Sequence, residues 1–89
     1  MLITPTVGRV VWFYPNGLRD VLTNAQPHAA LVTYVHGDRM VNLAIFNADG
    51  VSYNRTSVVL VQEGDNNPDS WAFCCWMPYQ AAQAKKHQA

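Results

Sequence analysis

The segment from Ala29 to Asn47 consists of two apolar-rich runs that are joined at Gly37 and Asp38. Glycine accepts the positive φ angle that the first position of a type II′ turn requires, so this dipeptide predicts a two-residue β-hairpin. Opposed residues share a face, and this register makes one face continuously apolar. The hairpin predicts three opposed pairs, Tyr34 with Val41, Val32 with Leu43 and Ala30 with Ile45, and a buried face formed by Val32, Tyr34, Val41, Leu43 and Ile45.

A second hairpin is predicted at residues 47–50, where Asp49 and Gly50 are a strong signal for a two-residue type I′ turn. A three-residue loop with Gly50 in a bulge is the alternative, and it shifts every pairing by one residue. We favour the two-residue loop because of the pairs that it forms: Val41 with Val58, Leu43 with Thr56, and Phe46 with Tyr53.

The segment before the central hairpin predicts one strand and one helical turn. β-branched and aromatic residues dominate from Val7 to Tyr14, with Gly8 as a site for a bulge or a bend. The apolar residues between positions 18 and 22 have helical spacing, and Pro27 prevents a longer helix.

The fourth predicted strand has two unlike halves. Residues 52–57 are polar on both faces except for Tyr53, whereas residues 58–61 are apolar on both. A loop over residues 63–70 precedes a short final strand over residues 71–77, which Pro78 ends. Good helix formers follow from Tyr79 to Lys86, so we expect a helical or frayed tail over residues 79–89.

These elements predict an all-β fold: a small five-stranded SH3-like barrel with a short C-terminal helical segment, in a single domain over residues 1–89. A long first connection, a three-stranded meander and a short closing strand are typical of that barrel. An open five-stranded sheet uses similar elements and remains an alternative. An OB-like barrel needs a helix between its third and fourth strands, for which residues 47–50 leave no room.

Charge is scarce in this chain: 13% of its 89 residues are charged, and the net charge is zero. Ordinary soluble domains have about 25% charged residues. The shortage indicates a surface that is covered by a partner or by another copy of the chain. A neutral chain has no general field that attracts nucleic acid or an acidic membrane. No apolar run approaches the roughly 20 residues that span a bilayer, and the first residues have no secretion-signal pattern.

No group of residues predicts catalysis, a metal site or a cofactor, so we expect no enzyme. Cys74 and Cys75 are adjacent, which makes a bridge between them geometrically poor and favours reduced thiols in a cytoplasm. The acidic loop from Glu63 to Asp69 has its glycine in the wrong place for a calcium loop, so we interpret it as a solvated turn. The three histidines are scattered rather than spaced as ligands: His28, His36 and His87.

The polar first half of the fourth strand is the candidate binding face. In the favoured register, one sheet face carries Phe46, Tyr53, Arg55, Asn42 and Ser57. An aromatic residue beside arginine on an exposed sheet is the composition of protein-binding hot spots, and it is also compatible with base stacking. The plainer alternative is an ordinary half-solvated sheet face.

The other aromatic residues are interpreted as core and barrel-closing contacts rather than as a ligand groove. They include Tyr14 and Tyr79. Three tryptophans form a second candidate set, to be considered if the first face is ordinary sheet: Trp12, Trp71 and Trp76.

Short motifs along nearly the whole chain resemble an uncharacterised family of small proteins that tailed bacteriophages and prophages encode. They are PTVGRVV at 5–11, QP at 26–27, AA at 29–30, VNL at 41–43, RTSV at 55–58, QEGD at 62–65 and WMPYQ at 76–80. The resemblance implies a phage or prophage origin and no particular activity. It therefore places the protein in the host bacterial cytoplasm, with the virion as a second location.

Together these observations predict a phage-encoded accessory protein that binds a protein partner, either a host or phage protein or another copy of itself. The first alternative is a structural head or tail component of the virion. The second alternative is a single-stranded nucleic-acid binder, which the zero net charge disfavours.

Overall fold

The computed structural model describes residues 2–68 and 71–78 of the chain. Within them lie β1 (Val10–Tyr14), α1 (Leu18–Leu22), β2 (His28–Gly37), β3 (Met40–Phe46), β4 (Ser52–Val61) and β5 (Phe73–Cys75). The strands form a closed barrel in the order β1-β2-β3-β4-β5, which confirms the predicted all-β barrel of five strands. The predicted tail over residues 79–89, with Tyr79 and His87, lies outside the described residues.

The connections are those expected of an SH3-like barrel. A long irregular connection with the predicted helical turn, α1, leads from β1 to an antiparallel meander of β2, β3 and β4. The short β5 then pairs antiparallel with β1 and parallel with Val59–Val61 of β4. β1 begins at Val10 rather than at Val7 because the chain turns at Gly8, whose φ is 94°.

The core is formed by side chains that face the barrel interior, and burial alternates most regularly along β1 and β3. Val32, Val41, Leu43 and Ile45 are buried, as the central hairpin predicted. Tyr34 is 56% exposed, so its predicted burial is wrong. The remaining members of the core cluster come from β1, β2, β4 and β5 and from the residue after β5: Val11, Phe13, Ala30, Val58, Leu60, Cys74 and Trp76.

Two bulges in β2 explain the error at Tyr34. The turn lies one residue later than predicted, because Gly37 pairs with Met40. Irregularities between Val32 and Tyr34 and between Val35 and Gly37 then restore the predicted pairs of Val32 with Leu43 and of Ala30 with Ile45. An extra residue at a bulge turns the following side chains to the other face, and Tyr34 consequently lies opposite Asn42 on the outside.

The second hairpin uses the three-residue loop, which is the less favoured of the two predicted alternatives. Phe46 pairs with Ser52, Asn47 N–H donates to the Val51 carbonyl oxygen at 3.0 Å, and Gly50 has φ 80°. A positive φ at the third loop position is usual for such loops. Val41 pairs with Val58 as predicted, because a bulge opposite Asn42 corrects the register. The predicted pairs of Leu43 with Thr56 and of Phe46 with Tyr53 are wrong.

Gln62 connects three distant parts of the chain beside the end of β4. Its side chain is 2% exposed, yet the amide makes four hydrogen bonds. Nε2 donates to the carbonyl oxygens of Ile3 and Asp38 at 2.9 and 2.8 Å, and Oε1 accepts from Ile3 N and Trp76 Nε1 at 3.1 and 3.0 Å. A buried amide that satisfies both donors and both acceptors avoids the cost of unpaired polar groups.

The connection after β1 is fixed by Asp20 and Gly17. The Asp20 carboxylate is nearly buried and accepts from Asn16 N at 2.9 Å and from Asn16 Nδ2 at 3.1 Å. Gly17 has φ 61°, and a Cβ there would collide with the backbone carbonyl of Trp71. Only glycine satisfies both the conformation and the close approach.

Candidate functional site

Two rows of mostly apolar side chains cover the outside of β1, β2 and β3. One row consists of Val10, Leu31 and Ala44, which lie opposite one another on β1, β2 and β3. The next row consists, on the same three strands, of Trp12, Ala29 and Phe46. Their strand neighbours Val11, Ala30 and Ile45 are at most 1% exposed, so these two rows face away from the core. The six residues, hereafter the outer apolar face, are Val10, Trp12, Ala29, Leu31, Ala44 and Phe46.

The outer apolar face is accessible and carries no charge. Val10, Leu31 and Phe46 are each 37% exposed, Ala29 is exposed, and Trp12 and Ala44 are half-buried. Toward β4 the two rows continue into Asn54 and Ser52, which are uncharged. Contiguous exposed apolar side chains of this kind mark interaction sites, whereas single exposed apolar residues do not.

A polar end adjoins this face at the tip of the first hairpin. The rings of Tyr34 and His36 pack edge to face with centroids 4.9 Å apart. Asn42 Oδ1 lies 2.9 Å from His36 Nε2 and accepts from Ser57 N–H at 2.8 Å. The second of these bonds stabilises the bulge in β4, where Ser57 has φ 54°. Asn42 and Ser57 are therefore in contact, as expected, but in a structural role.

A second group of side chains lies at the opening of the barrel, on the inner side of β4. It is formed by Phe13, His28, Tyr53 and Arg55, hereafter the Tyr53–Arg55 cluster. The Tyr53 hydroxyl lies 2.6 Å from His28 Nδ1, and its ring packs edge to face with Phe13 at 6.5 Å. The guanidinium of Arg55 lies 5.1 Å from the Tyr53 ring centroid, within the range of a cation–π interaction.

The electrostatics of this cluster keep the phenol protonated. Burial raises the pKa of Tyr53 above its ordinary value, and the positive charge of Arg55 opposes that shift only in part. The hydrogen bond with His28 Nδ1 holds the hydroxyl in place. The ring is thus a fixed surface for Arg55, whose own side chain stays exposed.

The structure separates the predicted binding face into two parts. Tyr53 pairs with Ile45 and Arg55 with Leu43, so both lie on the inner side of the sheet, whereas Phe46 lies on the outside. The predicted neighbourhood of Phe46 with Tyr53 and Arg55 is therefore wrong. The cause is the three-residue loop at Gly50, since a shift of one residue moves every side chain to the other face. Their role in binding stays a prediction.

The three tryptophans of the second candidate set do not form one group. Trp76 is a core residue whose ring also lies 6.0 Å from the guanidinium carbon of Arg9. Trp12 belongs to the outer apolar face, and Trp71 is 61% exposed beside Gly17. Tyr14 packs against Phe73 with ring centroids 5.3 Å apart, which agrees with a barrel-closing contact.

Several other polar groups among the described residues are engaged in the fold. Both cysteines are free thiols on opposite faces of β5, and burial is the main cause that raises the pKa of Cys74 to about 12 and of Cys75 to about 11. Asp65 binds Arg39 in an ion pair at 2.8 Å and accepts from Gln62 N–H at 3.0 Å. In the part of the chain that the structure describes, no three metal-ligating side chains converge.

A cleft of about 270 Å³ opens beside Gln62, between the loop after β4 and the end of β5. Two of its polar groups, the Gln62 amide and the Asp65 carboxylate, are already used in the hydrogen bonds described above. The cleft is therefore explained by the packing around Gln62. Among residues 2–68 and 71–78, no helix is long and apolar enough to cross a bilayer.

Sequence reasoning missed the outer apolar face as one site. Phe46 and Trp12 belong to two separate candidate sets, and Val10, Leu31 and Ala44 belong to neither, although β1 is apolar on both faces. The apolar character of both faces was the available signal, because a two-sided apolar strand in a small barrel leaves one side without a core. Comparison of the chain with protein-family models, with curated proteins and with solved structures gives no match. The site is therefore interpreted from its geometry.

Proposed function

We propose that this protein is a non-catalytic protein-binding module that acts as an accessory protein of a tailed bacteriophage or prophage. The observation that carries the proposal is the outer apolar face, which exposes Val10, Leu31 and Phe46 side by side without a charge. The partner is a host or phage protein or another copy of the chain. The phage origin rests on the sequence motifs alone.

The character of the face favours a protein partner over nucleic acid. Protein interfaces are depleted of charged residues at their centre and enriched in aromatic side chains, as Phe46 and Trp12 are here. Nucleic-acid binding draws most of its affinity from cations that neutralise phosphates. The chain has six basic and six acidic residues, and the two rows of the face contain neither kind.

The state of the cysteines supports a non-catalytic role. The nucleophile in thiol chemistry is the thiolate. With the pKa of Cys74 near 12 and that of Cys75 near 11, both thiols stay protonated at neutral pH. Their burial in β5 accounts for their presence as packing residues.

A matched pair of leucines tests the outer apolar face. A photo-crosslinking amino acid is placed at position 31, on the face, or at position 22, where Leu22 is exposed on α1 and is not one of the six residues of the face. The proteins are produced in the host strain that carries the gene and are irradiated. We expect position 31 to give defined protein adducts, including a doubled chain if the partner is a second copy, and position 22 to give none of them.

The variants Leu31→Asp and Leu22→Asp then measure the strength of the contact. A truncated or disrupted hot spot typically costs at least about 2 kcal/mol, or roughly thirtyfold in affinity. We expect that loss for Leu31→Asp with the crosslinked partner, and wild-type binding for Leu22→Asp. Thermal melting verifies that both variants are folded. Equal adducts from both positions, or none, would reject the face as a binding site.

The phage role has a separate test. Mass spectrometry of purified virions distinguishes an accessory protein that stays in the host from a head or tail component. A gene that lies outside any phage or prophage region would contradict the proposed origin and leave the binding proposal to stand on the crosslinking result.

A further inference from the structure

We propose that the first half of β4 is a second binding site, which takes an extended peptide segment of a partner protein as an additional strand. The peptide would pair with the backbone of Ser52 to Thr56 and place an acidic side chain against Arg55. This site is distinct from the outer apolar face. It adds a type of partner, an extended acidic segment, that the flat apolar face does not imply.

The first half of β4 is paired on one side only. Residues from Ser52 to Arg55 pair with Phe46 to Leu43 of β3, whereas β5 pairs only with Val59 to Val61. Among residues 2–68 and 71–78, no strand lies along the other edge of the first half. All its residues except the half-buried Tyr53 are exposed. An exposed strand edge of this kind is a template for pairing with another chain.

The alternation of hydrogen-bonded and non-bonded pairs between β3 and β4 shows which backbone groups of β4 point away from β3. Asn47 N–H donates to Val51 O, so these residues form a hydrogen-bonded pair. Bonded and non-bonded pairs alternate along an antiparallel ladder. Tyr53 and Arg55 therefore bond to β3, while the N–H and C=O groups of Ser52 and Asn54 point to the open edge. Ser52 and Asn54 lie about 7 Å apart, which is the spacing of alternate residues in a strand.

Side chains beside this edge suit an acidic peptide. Tyr53 is held by His28 at 2.6 Å and supports the guanidinium of Arg55 at 5.1 Å. In the free protein Arg55 Nη1 donates to the outward carbonyl of Asn54 at 3.0 Å. A peptide N–H can replace that bond, which leaves the guanidinium to pair with a carboxylate. Charge-assisted pairs with arginine are among the stronger hydrogen bonds.

Charge also argues against a second copy of the same strand as the occupant. Residues 52–57 contain one positive charge, Arg55, and no negative one. Pairing two such edges would bring two arginines together without a counter-charge, and like charges in paired strands are destabilising. A segment with an aspartate or glutamate has the complementary charge.

The first test uses a displayed library of random linear 12-residue peptides, selected on the immobilised full chain. We expect the enriched peptides to contain an acidic residue among β-branched ones and to lack proline in the pairing segment. The best peptide is then synthesised and its affinity is measured by titration. The absence of any enriched sequence overturns the proposal.

A matched pair of variants at one position tests the backbone contact. Asn54→Pro removes an outward N–H that makes no bond to β3, and proline is tolerated at such edge positions. Asn54→Ala removes the side chain and keeps the N–H. We expect about a tenfold loss of peptide affinity for Asn54→Pro and wild-type affinity for Asn54→Ala. Equal affinity of the two variants contradicts strand addition.

Amide hydrogen exchange gives a readout that needs no variant. Peptide binding should slow exchange at Ser52 and Asn54, whereas Tyr53 and Arg55 are already bonded to β3 and act as internal references. Binding without slower exchange at Ser52 and Asn54 places the peptide elsewhere. The Leu31→Asp variant should bind the peptide as the wild type does, which separates this site from the outer apolar face.

Arg55 itself tests the acidic specificity. We expect Arg55→Ala to weaken binding of the acidic peptide about tenfold and Arg55→Lys to restore part of it, with a salt dependence that Arg55→Ala lacks. A gain of affinity in Arg55→Ala would mean that Arg55 protects the edge from pairing, and it would overturn the proposed contact with a carboxylate.

Discussion

The two halves of β4 belong to one continuous strand, yet they differ in almost every physical property. In the second half, Val58 and Val59 pair with β3 and Val59 to Val61 pair with β5. Val58, Leu60 and Val61 are buried. In the first half, Ser52 to Arg55 pair with β3 alone, and Ser52 to Ser57 are mostly exposed. The bulge at Ser57 separates them. One strand therefore supplies both the closure of the barrel and an accessible edge.

The difference shows how polarity and pairing are coupled in a small barrel. β5 has only three residues, so it can cover only part of the ten-residue β4. The covered part must be apolar to fill the core, whereas the uncovered part must be polar to stay soluble. An uncovered apolar half would be a risk for aggregation. The polar half is thus explained by solubility, and its open edge remains available for binding.

The largest expected effect is the difference in stability loss between a core residue in the second half of β4 and an exposed residue in the first half. Leu60 is fully buried, so Leu60→Ala should lower the free energy of unfolding by about 2–5 kcal/mol through lost contacts and a cavity. Thr56→Ala should change it by no more than about 0.5 kcal/mol. Urea denaturation of both variants measures the contrast. Similar losses would mean that the first half of β4 is also part of the core.

An intermediate effect is expected at the boundary between the halves. Ser57 has φ 54°, a conformation that costs an ordinary residue roughly 1–2 kcal/mol. Ser57→Gly should therefore stabilise the fold by about 0.5 kcal/mol, whereas glycine at Thr56, which has no positive φ, should destabilise it by about 0.5–1 kcal/mol. Thermal melting compares the two. The same sign at both positions would contradict a bulge at Ser57.

The smallest expected effect on stability concerns the ion pair between Arg39 and Asp65, of which Asp65 lies just after the buried half of β4. The hydrogen bond from Arg39, followed by that from Gln62 N–H, holds the pKa of Asp65 below its ordinary value of 3.8. A pKa that is lowered in the folded state adds stability above the unfolded-state pKa, and this stability is lost as the pH falls through the folded-state pKa. Asp65→Asn should be slightly less stable than wild type at pH 7.

The pH dependence provides the check on this ion pair. The difference in unfolding free energy between wild type and Asp65→Asn should begin to shrink as the pH falls below about 4, where the carboxylate is first protonated in the unfolded chain, and should shrink further as the pH falls through the lower pKa of the folded state. Because both side chains are partly exposed, added salt should also reduce it. A difference that is constant between pH 7 and pH 2 would show that the Asp65 charge does not contribute.

The sequence determined the strand content and the approximate pairing. The alternation around Val32, Leu43 and Ile45 was sufficient to identify the central hairpin and its buried face. The change from polar to apolar residues at Val58 coincides with the part of β4 that closes the barrel. Both patterns depend on burial, which composition and periodicity report directly. The same patterns predicted the short helical turn between β1 and β2.

The tertiary structure alone decided which side chains share a face. Side chains alternate with a period of two, so a loop of three residues instead of two reversed the faces of Tyr53 and Arg55 relative to Phe46, while the apolar pattern stayed the same. The bulge that corrected this shift is stabilised by Asn42 Oδ1 and Ser57 N–H, 15 residues apart. The four hydrogen bonds of Gln62 likewise join segments up to 59 positions apart. Contacts between residues so distant in the chain leave no local pattern, because each partner by itself resembles an ordinary polar surface residue.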